Sequence, residues 1–307
     1  MRGDPSDDID RAAGSGPGDW IDLSATINRR PWGADNPAQR TSATDAAERL
    51  TLVAADWFGC DPAQVLPVED ALAAILRLPP GRAAVLAPGD TCPATCLRAA
   101  GWQVTQADAL GKMAGSALAL VVNPNNPDGR ESPPDALRRL ARQVGHLVVD
   151  ERLADPRPDL SLAPDLPANV TLLRSLHPFW GLAGLGFVLA DPALLGRLSG
   201  APRADPQAMA LGAQAMADRA WADATVVYLS EAVLRLDRIA VRAGWRMAGG
   251  THLFRLYDTG DAAAAQDRLA RAHIRACRFP RSDRLLRLAI PVRHAEWDRL
   301  SEALREI

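Results

Sequence analysis

The chain has 307 residues, is 48% hydrophobic and 23% charged, and carries a formal net charge of −2. That is enough apolar sequence for a buried core and for one large domain or two ordinary ones. The near-neutral balance argues against a nucleic-acid surface or an anionic-membrane patch, and no apolar run reaches the roughly 18 residues of a membrane span.

The polar, acidic start, Met1 to Asp10, does not read as a signal peptide. Cys60, Cys92, Cys96 and Cys277 follow no disulfide framework and read as free thiols, so a cytoplasmic protein is expected. Of the 35 basic residues only Lys112 is a lysine. Codon bias toward arginine explains such a skew in general. Arginine cannot take over lysine chemistry, however, because its guanidinium stays protonated and forms no imine.

In chain order, short apolar runs at 83–87, 117–122, 147–149, 171–173 and 187–189 predict strands buried on both faces. Helical patterns lie between them. One spans 93–100 and is closed by Gly101. After the strand ending at Val122 comes a turn-rich run, Asn123-Pro124-Asn125-Asn126-Pro127-Asp128-Gly129. Ser132 then reads as a helix cap, with Pro133 in the first position and Asp135 three residues after the cap. Leu137, Leu140, Ala141 and Val144 form that helix's apolar stripe, and Gly145 ends it. Strands alternating with helices predict an α/β fold with a mainly parallel, doubly wound sheet. The last third differs: a helix over 224–243, a strand over 249–257, a helix over 262–272, a strand over 285–290 and a closing helix over 294–307 predict a smaller α+β domain.

In an open parallel sheet, ligands bind beyond the carboxyl ends of the strands. Asn126, Asp150 and Ser175 follow three of those ends and are expected to line one crevice. Taken singly, each has an ordinary explanation: a turn former, a helix cap and a turn hydroxyl. Cys92 and Cys96 stand four apart on one helix face near Asp90, which suits packing better than metal binding. The five histidines are scattered, so no metal site is expected.

These residues resemble a known family. Residues 123–129 are similar to the Asn-Pro-Asn-Asn-Pro-x-Gly signature of the fold type I, pyridoxal-phosphate-dependent aminotransferases. Val148-Val149-Asp150-Glu151 resembles their Val-Asp-Glu strand end. Arg174-Ser175 followed by Phe179-Trp180-Gly181-Leu182-Ala183-Gly184-Leu185 resembles the segment that carries the cofactor lysine, and Leu286-Arg287-Leu288 the strand of the substrate-carboxylate arginine. Trp20-Ile21-Asp22-Leu23-Ser24 with Ile27-Asn28, Gly249-Gly250-Thr251 with Leu253-Phe254-Arg255-Leu256, and Arg278-Phe279-Pro280 resemble in particular the threonine-phosphate decarboxylases of cobalamin biosynthesis. The resemblance implies a three-layer fold type I chain with an N-terminal arm (1–35), a large cofactor-type domain (36–220) and a small C-terminal domain (221–307). It implies that Asn126 bonds the cofactor's phenolic oxygen, Asp150 its ring nitrogen and Ser175 its phosphate. Arg287, with Asn28 nearby, would take the substrate carboxylate. It also implies a homodimer in which the arm packs across a shared crevice.

Departures from the pattern are as specific as the matches. Where the family places its Schiff-base lysine, this chain has Pro178, preceded by His177. The run that carries a phosphate-binding arginine is shortened to Leu185-Gly186-Phe187. The phosphate loop, Gly-Thr-Gln in the family, reads Val68-Glu69-Asp70, and the stacking aromatic is replaced by Asp90. At about 4–5 Å and an effective dielectric near 20, each carboxylate–phosphate repulsion is roughly 3–4 kcal/mol before screening. Two such terms would offset micromolar binding. The expectation is an aminotransferase-like protein with no catalytic residue at position 178 and no covalent pyridoxal phosphate. The alternatives are a non-enzymatic binding or scaffolding partner, or a pocket reused for a small carboxylate or phosphate ligand.

Overall fold

A computed structural model of the chain describes residues 20–33, 46–198 and 200–305. The polar start, much of the expected 1–35 arm and the last two residues of the closing helix lie outside them. The first half of the chain contributes β1 (Ile21–Asp22), α1 (Ala46–Phe58), β2 (Val65–Val68), α2 (Ala71–Ile75), β3 (Arg82–Leu86), α3 (Thr91–Ala99), β4 (Gln103–Ala107), β5 (Leu118–Val122), α4 (Pro134–Ala141) and β6 (His146–Asp150). The second contributes β7 (Val170–Ser175), α5 (His177–Trp180), β8 (Gly186–Leu189), α6 (Pro192–Arg197), α7 (Pro206–Ala217), α8 (Arg219–Arg242), β9 (Arg246–Gly250), β10 (Phe254–Asp258), α9 (Ala262–Arg271), β11 (Ile274–Arg275), β12 (Cys277–Arg278), β13 (Leu285–Ala289) and α10 (His294–Arg305). No helix among the described residues is long and apolar enough to cross a membrane.

The chain divides into two compact units. Among the described residues, one comprises 31–126 and 130–223; the other comprises 20–30, 127–129 and 224–305. The larger unit holds a seven-stranded sheet in the order β2-β8-β7-β6-β5-β3-β4, in which only β8 runs against the rest. Its inner strands are apolar because both faces are covered: β5 reads Leu-Ala-Leu-Val-Val and is buried throughout. Leu120, Val148, Leu173 and Val188 pack with Leu72, Ile75 and Leu97 in one core. Each such side chain contributes roughly 1.5–3 kcal/mol on burial. Helix α1 turns Leu50, Ala54, Ala55 and Phe58 inward. It lies close to α7 because Gly212 presents no side chain: a Cβ there would come within 2.3 Å of Leu185 and 3.3 Å of Leu50.

A buried ionic cluster ties β6 and β7 to the loops that follow them. Arg174, 3% exposed, donates to Glu151 (3.0 Å) and Asp155 (2.8 Å) and lies over the Phe58 ring. Ser161 and the Leu162 N–H also serve Glu151, and the Trp57 indole N–H serves Asp155. Burial pushes both carboxyls above their ordinary range, and Arg174 pulls against that shift.

The second unit carries a four-stranded antiparallel sheet, β12-β13-β10-β9, and the short parallel pair β1-β11. Its turn at Pro127–Gly129 lies against β9. The Gly250 N–H donates to the Asp128 carbonyl at 3.0 Å, and a Cβ on Gly129 would fall 2.1 Å from the Gly250 oxygen. Gly129 at φ +68 and Gly250 at φ +138 are thus required by a backbone approach that no side chain permits. Arg29 donates to Glu296 at 2.6 and 3.2 Å, joining the N-terminal stretch to α10.

The sheet corrects several expectations. Strands β2 and β4, the two edges of the large sheet, were not expected: β4 reads Gln-Val-Thr-Gln-Ala and is mostly exposed, and β2 reads Val-Leu-Pro-Val, an apolar run interrupted by a proline. The strand expected over 249–257 is two strands, β9 and β10, paired as a hairpin. Ser132 does not cap α4. The N-cap is Pro133, and Ser132 exchanges two bonds with the Asn123 side chain instead. That helix ends at Ala141, short of Val144 and Gly145.

Glu296 generates a pH prediction. Its side chain is 4% exposed. Burial alone raises its pKa, but the bonds from Arg29, the Val292 N–H and Arg293 outweigh that and bring it from 4.5 down to about 2. A carboxyl with a depressed folded pKa stabilises above its unfolded value and loses that contribution as pH falls toward the folded one. Wild type should therefore be more stable than Glu296→Gln near neutrality, and the gap should close between pH 4.5 and about 2. Urea titrations of both proteins across that range check it; a gap independent of pH would refute it.

Candidate functional site

The register of the large sheet sets the candidate residues side by side. Val122 of β5 pairs with Asp150 of β6, and Asp150 with Leu173 of β7. Asn126, Asp150 and Ser175 thus follow the carboxyl ends of three adjacent strands, with Asp150 on the central one. All three belong to the larger unit.

Asp150 is 1% exposed. Its carboxylate is held by Arg152, two residues on. The Arg152 Nε donates to both oxygens at 2.8 and 2.9 Å, the terminal nitrogen donates to Oδ2 at 2.6 Å, and the backbone N–H adds a bond of 3.1 Å to Oδ1. The Asp150 charge, then Asp90 more weakly, hold the guanidinium in its charged form. This clamp escaped the sequence reading. Its only signal was an arginine directly after the Asp150-Glu151 pair.

Ser175 ends β7, and its hydroxyl accepts the His177 N–H at 3.2 Å. Pro178 lies inside the four-residue helix α5, where a proline loses nothing because the first N–H groups of a helix have no internal partner. Pro178, Phe179 and Trp180 are buried. The Trp180 ring meets Phe179, Trp57 and Trp221 at centroid distances of 5.2, 5.2 and 5.0 Å. The segment that would present an amine is therefore wedged into an aromatic core. Gly186, paired with Ser175, has no room for a larger residue: a Cβ there would come 2.8 Å from the Arg174 carbonyl oxygen.

Asp70 is the N-cap of α2 and accepts from the Leu72 and Ala73 N–H groups at 2.8 and 3.2 Å. Glu69 and Asp70 are both exposed. Water screens them, so their repulsion of an anion is weaker than an effective dielectric of about 20 suggests. The stronger effect is that the helix N–H groups already have an acceptor. Asp90 caps α3 in the same way, taking the Cys92 N–H at 2.9 Å. The Cys92 and Cys96 sulfurs are 3.7 Å apart, and burial first, then Cys96, pushes the Cys92 thiol up to about 11. Among the described residues no group of three or more His, Cys, Asp or Glu side chains could hold a metal.

Arg287 and Asn28 belong to the smaller unit. Arg287, 9% exposed, donates to the Ser24 carbonyl at 2.8 Å and lies over the Phe254 and Phe279 rings. The Asn28 side-chain oxygen accepts the Arg30 N–H at 2.9 Å. A cavity of about 430 Å³ between α1 and β2 is lined by none of these residues.

Comparison with known proteins places the chain. The family described as aminotransferase class I and II matches residues 81–304. The threonine-phosphate decarboxylase of Pseudomonas aeruginosa is 34% identical over 93% of this chain and 91% of its own length. That of a Sinorhizobium species is 34% identical over 95% and 93%. The histidinol-phosphate aminotransferase of Sinorhizobium meliloti, solved with pyridoxal-5′-phosphate, superposes with a TM-score of 0.78 at 22% identity, covering 100% of this chain and 95% of that one. That structural likeness shows the fold: α/β, with the mainly parallel central sheet of fold type I. With a family match over most of its length and curated relatives aligned nearly end to end, this chain belongs to the class I and II aminotransferase family.

Proposed function

We propose that this chain descends from an enzyme of the threonine-phosphate decarboxylase kind and no longer performs covalent cofactor chemistry. The observation that carries the reading is Pro178, built into α5 where the resemblance expects the imine-forming lysine. Lys112 offers no replacement; it is surface-exposed and paired with Asp108 at 2.9 Å.

Pyridoxal phosphate, the cofactor of the family, supplies an electron sink when it is bound. The residues present do not fit it. Asp150 is already bonded to Arg152, and the Asp70 carboxylate takes the N–H groups of α2. Asp90, which caps α3, offers no ring to stack on. No reaction step is derived through the cofactor.

Arg287 and Asn28 support a weaker inheritance, a carboxylate-binding arginine beside the N-terminal stretch. They also support a homodimer, the assembly that the resemblance implies. Here the stretch is anchored within its own chain, with Ile21 and Asp22 pairing to Ile274 and Arg275. Four free cysteines are consistent with a reducing, cytoplasmic setting.

Two outcomes follow. The purified protein should be colourless, and saturating pyridoxal phosphate should give no visible imine band that borohydride abolishes and peptide mapping assigns to a defined site. A stoichiometric, borohydride-sensitive band would overturn the reading. Sedimentation equilibrium at micromolar concentration should give twice the 32.8 kDa chain mass; a stable species of single-chain mass would contradict the dimer.

A further inference from the structure

The Asp150–Arg152 pair says what the site now holds. We propose that Arg152 is a built-in ligand: its guanidinium occupies the position that Asp150 offers to a planar N–H cation, and so closes it to external molecules. The inference rests on the proposed loss of cofactor chemistry and deepens it by naming the occupant and the ligand class.

Three observations carry it. First, the carboxylate is 1% exposed, so water cannot satisfy it, and an unpaired buried charge is costly. Second, the bonds are those of a fitted ligand. Nε reaches both oxygens and the terminal nitrogen reaches Oδ2 at 2.6 Å, the fork geometry that makes arginine the strong partner of a carboxylate. Third, the donor lies two residues from its acceptor. The clamp therefore forms with almost no loop-closure cost, and a free cation competes with an intramolecular one at an effective concentration of about millimolar or more.

The surroundings select the same ligand class. Asp90 adds negative potential at the guanidinium, and Cys92 stays a neutral thiol because its pKa is raised to about 11. With the Arg152 side chain gone, Asp150 would face a hole of guanidinium size beneath a second carboxylate. That hole suits a planar cation with N–H donors and repels phosphate. The Arg152 side chain is still 33% exposed, so competition at this position is by displacement and no rearrangement of the core is required.

The test is chemical rescue. Arg152→Ala should melt below wild type, and 10 mM methylguanidinium, an amount of about ten times a millimolar Kd, should raise its Tm by roughly 2 °C or more. Equal methylammonium should do much less, and wild type should not respond. An equal response in wild type would show that Asp150 is open there, and no response in the variant would show that it is no ligand position; either result overturns the proposal. Should Arg152→Ala not fold, the Arg152 Nε–H signal of wild type decides by nitrogen-15 NMR. It should exchange slowly with solvent and do so only while Asp150 is a carboxylate, so Asp150→Asn should expose it. Rapid exchange in wild type would overturn the inference. Methylguanidinium carries no aldehyde, so an imine band with pyridoxal phosphate would sink the proposed loss of chemistry and leave this test standing.

Discussion

A carboxylate buried at the carboxyl end of the central strand must be met by a cation. Asp150 is placed there by the sheet itself, with β5 on one side and β7 on the other, and the neighbouring strands leave it almost no contact with water. Whatever cation meets it defines the pocket. In the family that the chain resembles, the partner is a bound cofactor; in this chain it is Arg152.

The same inward turn recurs along the strand ends of the larger unit. Asp70 and Asp90 spend their carboxylates on the N–H groups of α2 and α3. Ser175 serves the first turn of α5, and Pro178 is the second residue of that helix. Nearby, the Arg174–Glu151–Asp155 cluster is saturated by its own loops. Each of these groups satisfies the chain's own backbone or buried charge.

Much of the fold was legible in the sequence. The five inner strands announce themselves as short apolar runs because both of their faces are buried. The two edges were illegible for different reasons: β4 turns three polar residues toward water, and Pro67 interrupts the apolar run of β2. The 249–257 run looked like one strand because the bend after Gly250 is a matter of pairing, which periodicity does not encode. The glycine pairs in the motifs were readable as motifs, but their cause, the approach of the Gly129 turn to Gly250, is a tertiary contact. At the site, Asp150, Ser175 and Pro178 were singled out by local matches to the family's motifs. Arg152 was not, since a motif draws the eye to residues that agree with it, and pairing across two positions at a strand end depends on side-chain direction. The weight placed on repulsion from Glu69 and Asp70 was also too large, because the sequence could not show that both are exposed.

If several partners of the cofactor have been turned inward together, restoring one of them does not restore the site. The most direct measurement is a titration of pyridoxal phosphate into Pro178→Lys, read by visible absorbance, with circular dichroism to establish that the variant folds. The variant regains an amine while Asp150 stays bonded to Arg152 and Asp70 stays bonded to α2. It should show no saturable imine band at micromolar cofactor. A saturable band of one cofactor per chain at that concentration would contradict the account and mean that the lysine alone was missing.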